Sequence, residues 1–334
     1  MPSGFTGVVL AGLLLIVSCS SPPVARARND VPEPAVSPPL AEAPAGSQVT
    51  LPAGTAPEGL VADPTTGVLA AGVRNPDGVM LLDLTRRKIR ARIVLSGAPR
   101  HLRLEHPGGP VLVPAEGADR LYLLSLPTGE VTGSFTTGSQ PHDVAAAAGA
   151  YFVGDELANT VHLIRPGTST TILPGPLQPG GVAASANGST VMVVGVRGRR
   201  LQEINSNGTV IGSAECGVGP THIRSGRGNL FYIADTQGNR VLVFRAGPKR
   251  PTPLGSVYTG GTPYGLAIDQ RRDMLYVTLT GTNKLRSFWI ESDHLEARRT
   301  WPTVRQPNDV TVDDATGTVI IAGAANNVLE FIAP

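Results

Sequence analysis

The chain has 334 residues, of which 41% are apolar and 16% charged, a composition typical of globular proteins and not of disordered ones. Its formal net charge is only +2 and its 28 lysines and arginines form no long run, so nucleic acid is not expected as a partner. The 40 glycines and 30 prolines indicate a fold with many tight turns.

The first predicted element is a targeting signal. Residues 8–17 read VVLAGLLLIV, a run too short to span a bilayer as a helix but suited to the core of a secretory signal. The run ends in Ile16-Val17-Ser18-Cys19, which resembles a bacterial lipobox. The resemblance implies a lipoprotein signal peptide over 1–18 and lipidation of Cys19, which would anchor the protein to the cell membrane on its extracytoplasmic side. Because the preceding MPSGFTG has no lysine or arginine, an ordinary signal peptide is the alternative.

Residues 19–45 are rich in proline and alanine, which favours extended chain, and we expect them to form a tether. The folded domain is then predicted over 46–334. Cys216 is the other cysteine of the sequence, so lipidation of Cys19 would leave it without a disulfide partner. We expect Cys216 to be a small buried apolar residue.

A sevenfold repeat occupies the predicted domain. Each repeat starts with a proline that is followed three residues later by an aliphatic residue. The starts are PEGL at Pro57, PRHL at Pro99, PHDV at Pro141, PGGV at Pro179, PTHI at Pro220, PYGL at Pro263 and PNDV at Pro307. Consecutive starts lie 38 to 44 residues apart, which is the length of a four-stranded propeller blade.

Three further apolar runs complete each repeat, as AYFVGD, NTVHLI and EVTGSFTT illustrate, with turn residues between them. Such runs predict short β-strands. The seventh repeat stops after its third run, and SQVTLPAG at 47–54 precedes the first repeat as a fourth run would. We therefore predict an all-β, seven-bladed β-propeller whose last blade is closed by the N-terminal strand, which leaves only short protected sheet edges.

The P-h-D-V start, the Y-V-x-D/T second strand and the N-x-V-x-h-h third strand resemble those of the YVTN/YncE-like seven-bladed propellers. The resemblance covers 46–334 and implies an extracytoplasmic protein, while the same fold serves enzymes and binding modules alike. Arginine greatly outnumbers lysine and alanine is abundant, which is typical of a GC-rich bacterial genome such as an actinobacterial one.

The two residues after each repeat proline lead into the first, innermost strand of a blade, so they are expected to ring one mouth of the central channel. The polar members of this set are Glu58, Arg100, His101, His142, Asp143, Thr221, His222, Tyr264, Asn308 and Asp309. We interpret this ring as a binding surface for an envelope protein, a peptide or a glycan. On that interpretation the protein is a monomeric binding or scaffold module, without a cofactor and without catalysis.

A divalent metal is the alternative, held by histidines together with Glu58 or Asp309. Successive strand residues point to opposite faces, so His142, in the first position, is not expected to converge with His101 and His222, in the second. The metal candidates are therefore His142, Glu58 and Asp309.

Enzymatic activity is the second alternative. PHDV resembles a zinc-binding strand start in the NHL-type propeller of an amidating lyase. PEG at Pro57 and PND at Pro307 resemble metal-ligand positions of six-bladed gluconolactonases. A metal-dependent hydrolase, lactonase or lyase with its site at the channel mouth is thus the competing hypothesis, and its catalytic residues are unassigned.

Other polar residues are interpreted as structural. Asp155 and Asp235 end second strands, where a carboxylate caps a turn by accepting backbone N–H bonds. His106, His162 and His294 show no partner pattern. The sequence has no G-x-S-x-G, H-E-x-x-H, P-loop or C-x-x-C motif.

Overall fold

Seven antiparallel sheets of four strands follow one another along the chain, each a simple meander in sequence order except the last. The computed structural model describes residues 1–4 and 31–333. Residues 5–18 of the predicted signal peptide and Cys19 lie outside those ranges. The predicted all-β, seven-bladed propeller is confirmed.

The strands of the first three blades have these bounds. Blade 1 comprises β2 Leu60–Asp63, β3 Val68–Val73, β4 Gly78–Asp83 and β5 Ile89–Val94. Blade 2 comprises β6 Arg103–Leu104, β7 Val111–Ala115, β8 Arg120–Leu124 and β9 Val131–Thr136, with a 3-10 helix at Glu116–Ala118. Blade 3 comprises β10 Pro141–Ala147, β11 Ala150–Asp155, β12 Thr160–Arg165 and β13 Ser169–Pro174.

The remaining blades follow the same order. Blade 4 comprises β14 Pro179–Ala184, β15 Thr190–Gly195, β16 Arg200–Asn205 and β17 Val210–Glu215. Blade 5 comprises β18 Pro220–Ser225, β19 Leu230–Asp235, β20 Arg240–Arg245 and β21 Thr252–Tyr258. Blade 6 comprises β22 Pro263–Asp269, β23 Met274–Leu279, β24 Lys284–Glu291 and β25 His294–Pro302. Blade 7 comprises β26 Pro307–Asp313, β27 Thr318–Gly323, β28 Val328–Ile332 and, from the N-terminus, β1 Ser47–Thr50.

The hydrophobic core lies between the blades. The middle strands β3 and β4 are buried at every position, because each sheet is covered on both faces by its neighbours. Phe152 of blade 3, for example, packs in one cluster with Val182 and Val193 of blade 4. The outermost strands are largely exposed, and β9 alternates between exposed and half-buried residues. The first strands consequently line the central channel, where they position the candidate site.

Blade 7 is closed as the sequence predicts. β1 pairs antiparallel with β28, from Ser47 opposite Phe331 to Thr50 opposite Val328. The buried carboxylate of Glu330 supports this junction by accepting the N–H of Gly46 at 2.7 Å and that of Val304 at 3.1 Å. The closing strand therefore covers the last open edge of the ring.

Two further features bear on the sequence predictions. Cys216 is fully buried and free, and burial together with the nearby Asp235 raises the pKa of its thiol. Within residues 1–4 and 31–333, no helix has the length and apolarity that a membrane crossing requires.

Removing the closing strand is expected to destabilise the whole ring. A chain that starts at Leu51 lacks all four β1–β28 pairs, each worth roughly 0.2–1 kcal/mol, so its free energy of unfolding should fall by about 1–4 kcal/mol. Urea unfolding followed by circular dichroism measures the loss against a chain that starts at Ala45. Equal stability of the two chains would contradict closure by β1.

Candidate functional site

A β-bulge at the start of the first strands determines which side chains enter the channel. In blade 3, Pro141 pairs with Asp155 and Asp143 pairs with Gly154, which leaves His142 as an extra residue. The first strands of blades 4 to 7 show the same register shift after the repeat proline. A bulge breaks the alternation of side chains. The two residues after the proline can therefore both reach the channel.

The three histidines of the predicted ring converge. The ring centroids lie 5.0 Å apart for His101 and His142, 4.3 Å for His101 and His222, and 6.2 Å for His142 and His222. One ring nitrogen of each lies within 4.8 Å of those of the other two, and all three residues are buried. The expectation that strand alternation keeps His142 away from the other two is therefore wrong. It assumed a regular ladder where the strand has a bulge.

Two of these imidazoles have their Nδ1 atoms held from outside the cluster. The Nδ1 of His222 lies 3.0 Å from the carbonyl oxygen of Tyr264, and the Nδ1 of His142 lies 2.9 Å from Glu156 Oε2. Both oxygens act as acceptors here, so each Nδ1 carries a proton, which leaves Nε2 as the ring nitrogen that could bind a ligand. The Nδ1 of His101 is buried without a hydrogen-bond partner among the described residues.

Burial favours the uncharged form of two of the three imidazoles, those of His101 and His222. It lowers the pKa of His101 and of His222 well below the ordinary value, and the nearby arginines add to the effect in both cases. The side chains of these two residues are 3% exposed. Neutral imidazoles with free lone pairs are ligands that zinc and similar ions prefer.

An ion-pair network surrounds the cluster at the mouth. Arg100 contacts Glu58 Oε1 at 3.1 Å through Nη1 and Glu116 Oε1 at 3.0 Å through Nε. Glu58 also pairs with Arg74 at 2.9 Å, and Glu156 accepts a hydrogen bond from Gln178 at 2.7 Å. A second group consists of Glu116, His142 and Glu156, in which two carboxylate oxygens and one ring nitrogen lie within 4.8 Å of one another. Of the described residues, neither metal-ligand group includes Glu58 or Asp309.

The sequence prediction omitted Glu116 and Glu156 as site residues. Each directly follows the second strand of its blade, where β7 ends at Ala115 and β11 ends at Asp155. These positions form a second ring at the same mouth, next to the residues that follow the repeat prolines. Comparing the residue that follows the second strand in each repeat would have identified Glu116 and Glu156 from the sequence.

Asp143 and Asp309 are structural residues below the mouth. Asp143 Oδ2 accepts the N–H of Val182 in the next blade at 3.0 Å, and Asp309 Oδ2 accepts that of Leu60 at 2.8 Å. Burial raises the pKa of Asp309 to about 6. These two predicted ring members therefore connect neighbouring blades and do not reach the surface of the mouth.

The other predicted members lie in the ring but are already bonded or packed. Thr221 Oγ1 lies 2.7 Å from Thr236 Oγ1, and Asn308 Oδ1 accepts a hydrogen bond from Gln306 at 3.0 Å. The Tyr264 ring packs on His222 with centroids 4.2 Å apart.

The two aspartates predicted as turn caps act in that way. Asp155 accepts the N–H of Gly138 at 3.0 Å and also bonds the structural His162 at 2.6 Å, while Asp235 accepts the N–H of Gly219 at 2.6 Å.

The last part of the predicted tether lies on the propeller. Residues 31–45, the N-terminal strap, belong to the same compact unit as the blades. Ser37 is 2% exposed, its hydroxyl donates to Thr280 O at 2.6 Å, and it accepts the N–H of Gln306 at 3.0 Å. Further along, Pro38 O accepts a hydrogen bond from Asn283 at 2.9 Å. The compact unit thus begins at Val31, earlier than the predicted start at 46.

The strap also covers the mouth. Pro32 and Glu33 close a cavity of about 20 Å³ over the site, enough for roughly one water molecule. The cavity is lined on the propeller side by Arg100, His142, Glu156, Gln178, Val196, Thr221 and Tyr264. Access to the histidines from this side therefore depends on the position of the strap.

Comparison with known proteins gives the fold. No family model and no curated protein matches the chain. It is similar to virginiamycin B lyase from Staphylococcus aureus, with 13% identity, a TM-score of 0.72 and 86% of this chain and 98% of that chain covered. A catalytically inactive variant of that lyase with quinupristin shares 14% identity with a TM-score of 0.71, and the match covers 86% of this chain and 99% of that chain. The Myceliophteria thermophila Cps50 (Swd1) β-propeller domain shares 13% identity with a TM-score of 0.73, and the match covers 86% of this chain and 100% of that domain. At such identities the likeness establishes the seven-bladed propeller fold.

Loss of the Ser37 hydroxyl is expected to loosen the strap. Ser37→Ala removes two hydrogen bonds between residues 31–45 and the propeller, so amide hydrogen exchange in the strap should become about 5- to 30-fold faster, at roughly 1 kcal/mol per bond. Val36→Ala is the matched control, because Val36 is 88% exposed. Unchanged exchange in Ser37→Ala, measured by mass spectrometry, would show that the strap is held by other contacts.

Proposed function

We propose that the channel mouth binds one divalent transition-metal ion and that the protein is a metal-dependent hydrolase, lactonase or lyase. The convergence of His101, His142 and His222 carries this proposal. Buried ring nitrogens need partners, and one bound ion could serve all three imidazoles. The buried Nδ1 of His101, which has no such partner among the described residues, supports the same conclusion.

The geometry suits an ion of the zinc type. Zinc–nitrogen bonds of 2.0–2.1 Å in a tetrahedral site place the nitrogens roughly 3.3 Å apart. The three ring nitrogens lie within 4.8 Å of one another, so small rotations of the rings would bring them to that spacing. The contacts of His142 with Glu156 and of His222 with the Tyr264 carbonyl are those that orient metal-binding histidines. Residues Glu58 and Asp309, proposed from the sequence as ligands, have other partners.

A catalytic role fits a three-ligand site better than a purely structural one. Catalytic zinc sites use three protein ligands and leave a fourth position for water or substrate. Around that site, Glu116 and Glu156 could accept a proton, and Arg100 could stabilise developing negative charge. Two of the similar solved structures are of a lyase, and one of them is described as catalytically inactive with a histidine replaced by alanine. This likeness of fold adds modest support.

The protein is further proposed to be a lipid-anchored, monomeric, YVTN/YncE-like member of the bacterial cell envelope. The lipobox-like Ile16-Val17-Ser18-Cys19 and the repeat motifs support this. In the absence of metal binding, the sequence-based interpretation as a binding or scaffold module for an envelope protein, peptide or glycan would replace the enzyme.

Metal content is the direct test of the site. Protein from residue 31 onward, purified without chelator or affinity-tag metal, should carry or take up about one zinc or similar ion per chain. His222→Gln and His142→Ala should each weaken binding by at least about 100-fold, measured by elemental analysis and calorimetry, because each removes a ligand. His106→Ala is the matched control, since His106 is exposed.

Lack of bound metal in the folded wild-type protein would remove the proposal. Binding that survives His222→Gln but is lost in both His142→Ala and Glu116→Gln would move the ion to the Glu116, His142 and Glu156 group. A panel of lactones and esters, assayed with the metal-loaded protein, then tests catalysis. Turnover that disappears in His222→Gln and persists in His106→Ala is the expected result.

Lipid anchoring is tested at Cys19. The full-length chain expressed in a bacterium should incorporate labelled palmitate and sediment with membranes, and Cys19→Ser should abolish both. Cys216→Ser is the matched control, because Cys216 is buried in the propeller. Labelled, membrane-bound Cys19→Ser protein would contradict the anchor.

A further inference from the structure

The opposite end of the central channel contains a larger cavity, the lower chamber. Its volume is about 320 Å³, and residues from the first strands of all seven blades line it. Arg103 and Arg224 occupy equivalent positions there, each four residues after the repeat proline. The other five blades place Val61, Ala145, Ala183, Ala267 and Thr311 at this level. Two guanidinium groups thus stand in a chamber that is also lined by aliphatic side chains and by Ser225, Gln270 and Asp314.

Arg103 is paired with a carboxylate, whereas Arg224 is only loosely paired. Arg103 Nη2 contacts Asp143 Oδ2 at 2.6 Å, an oxygen that also accepts the N–H of Val182, and Arg103 Nη1 donates to Leu102 O at 3.4 Å. Arg224 Nη2 lies 3.6 Å from Asp309 Oδ1, beyond hydrogen-bond distance, and its Nη1 donates to its neighbour Ile223 O at 3.1 Å. The Asp309 Oδ1 atom is buried without a hydrogen-bond partner among the described residues.

The remaining donors of both arginines are available to the chamber. Their side chains are 17% and 18% exposed, and both line the cavity. A guanidinium offers five N–H donors in a planar fork, which matches a carboxylate. A nearly buried cation without well-placed acceptors is costly, so an anionic ligand would stabilise this arrangement.

We propose that the lower chamber binds the carboxylate of a small ligand with an apolar body between Arg103 and Arg224. Asp143 and Asp309 offset the charge of the two arginines and Asp314 also lines the cavity, so at most a monoanion fits here, and a phosphate dianion does not. A volume of about 320 Å³ is at the small end of ligand cavities, which favours a short carboxylic acid or one acylated amino acid. Asp314 at the cavity wall has a buried Oδ1 without a hydrogen-bond partner in the described chain, suited to accept an N–H of the ligand.

N-acetyl-leucine is the probe for this site, because it has one carboxylate, one N–H and an apolar side chain. Calorimetry with protein from residue 31 onward should show saturable binding of one molecule. N-acetyl-leucine amide, which lacks the charge, should bind at least tenfold more weakly. Equal binding of the two compounds, or no binding of the acid, would overturn the proposal.

Variants locate the binding. Arg224→Gln and Arg103→Gln should each weaken binding of the acid at least tenfold, whereas the exposed Arg240→Gln should leave it unchanged. The double variant Arg224→Gln and Asp309→Asn removes both members of the loose pair and guards against a folding defect caused by one buried charge. Full binding by the double variant, or loss of binding in Arg240→Gln, would count against the chamber.

The same titration on chelator-treated protein separates this site from the proposed metal. Binding through the arginines should persist after metal removal. Loss of binding on chelation, together with full binding in both arginine variants, would assign the carboxylate to the metal and overturn the proposal.

Discussion

Seven first strands share the space around one axis, and the shortage of room there governs which residues can occupy the channel. Three of the seven second positions after the repeat proline are glycines, at Gly59, Gly181 and Gly265. A Cβ on Gly59 would lie 2.2 Å from Arg100 O, and one on Gly181 would lie 2.8 Å from Ile223 N. Glycine lets neighbouring blades approach at these positions, so larger side chains project from only a few blades.

The residues that do project also connect the blades. Asp143 and Asp309 each accept a backbone N–H from the next blade. Their carboxylates thereby satisfy N–H groups that are buried in the channel and would otherwise need water as an acceptor. His101 and His222 occupy the same level of the channel as these aspartates. Crowding and bonding between blades therefore place a compact set of polar groups in the channel, and the chemistry of the site follows from the architecture of the ring.

The repeat made most of the fold predictable from sequence, and the bulge made part of the site unpredictable. Pro141 and Val144 recur as a pattern, so the blade count and the closing strand could be inferred. Whether His142 joins His101 depends on the pairing of β10 with β11, which alternation alone does not reveal. The position of the strap could likewise be predicted only in part. Its prolines indicate extended chain, but the bonds of Ser37 depend on loops more than 240 residues away in sequence.

The channel is arranged in layers of different charge, and this order gives its two ends different preferences. At the covered mouth, Glu33, Glu58, Glu116 and Glu156 outnumber Arg74 and Arg100, so the local charge favours a cation. In the histidine layer below, burial lowers the pKa of His101 and of His222, which favours the neutral imidazoles that bind metal through lone pairs. The next layer brings two arginines into the lower chamber, of which Arg224 is only loosely paired with an aspartate. The proposed cation and the proposed carboxylate would thus occupy opposite ends of the channel.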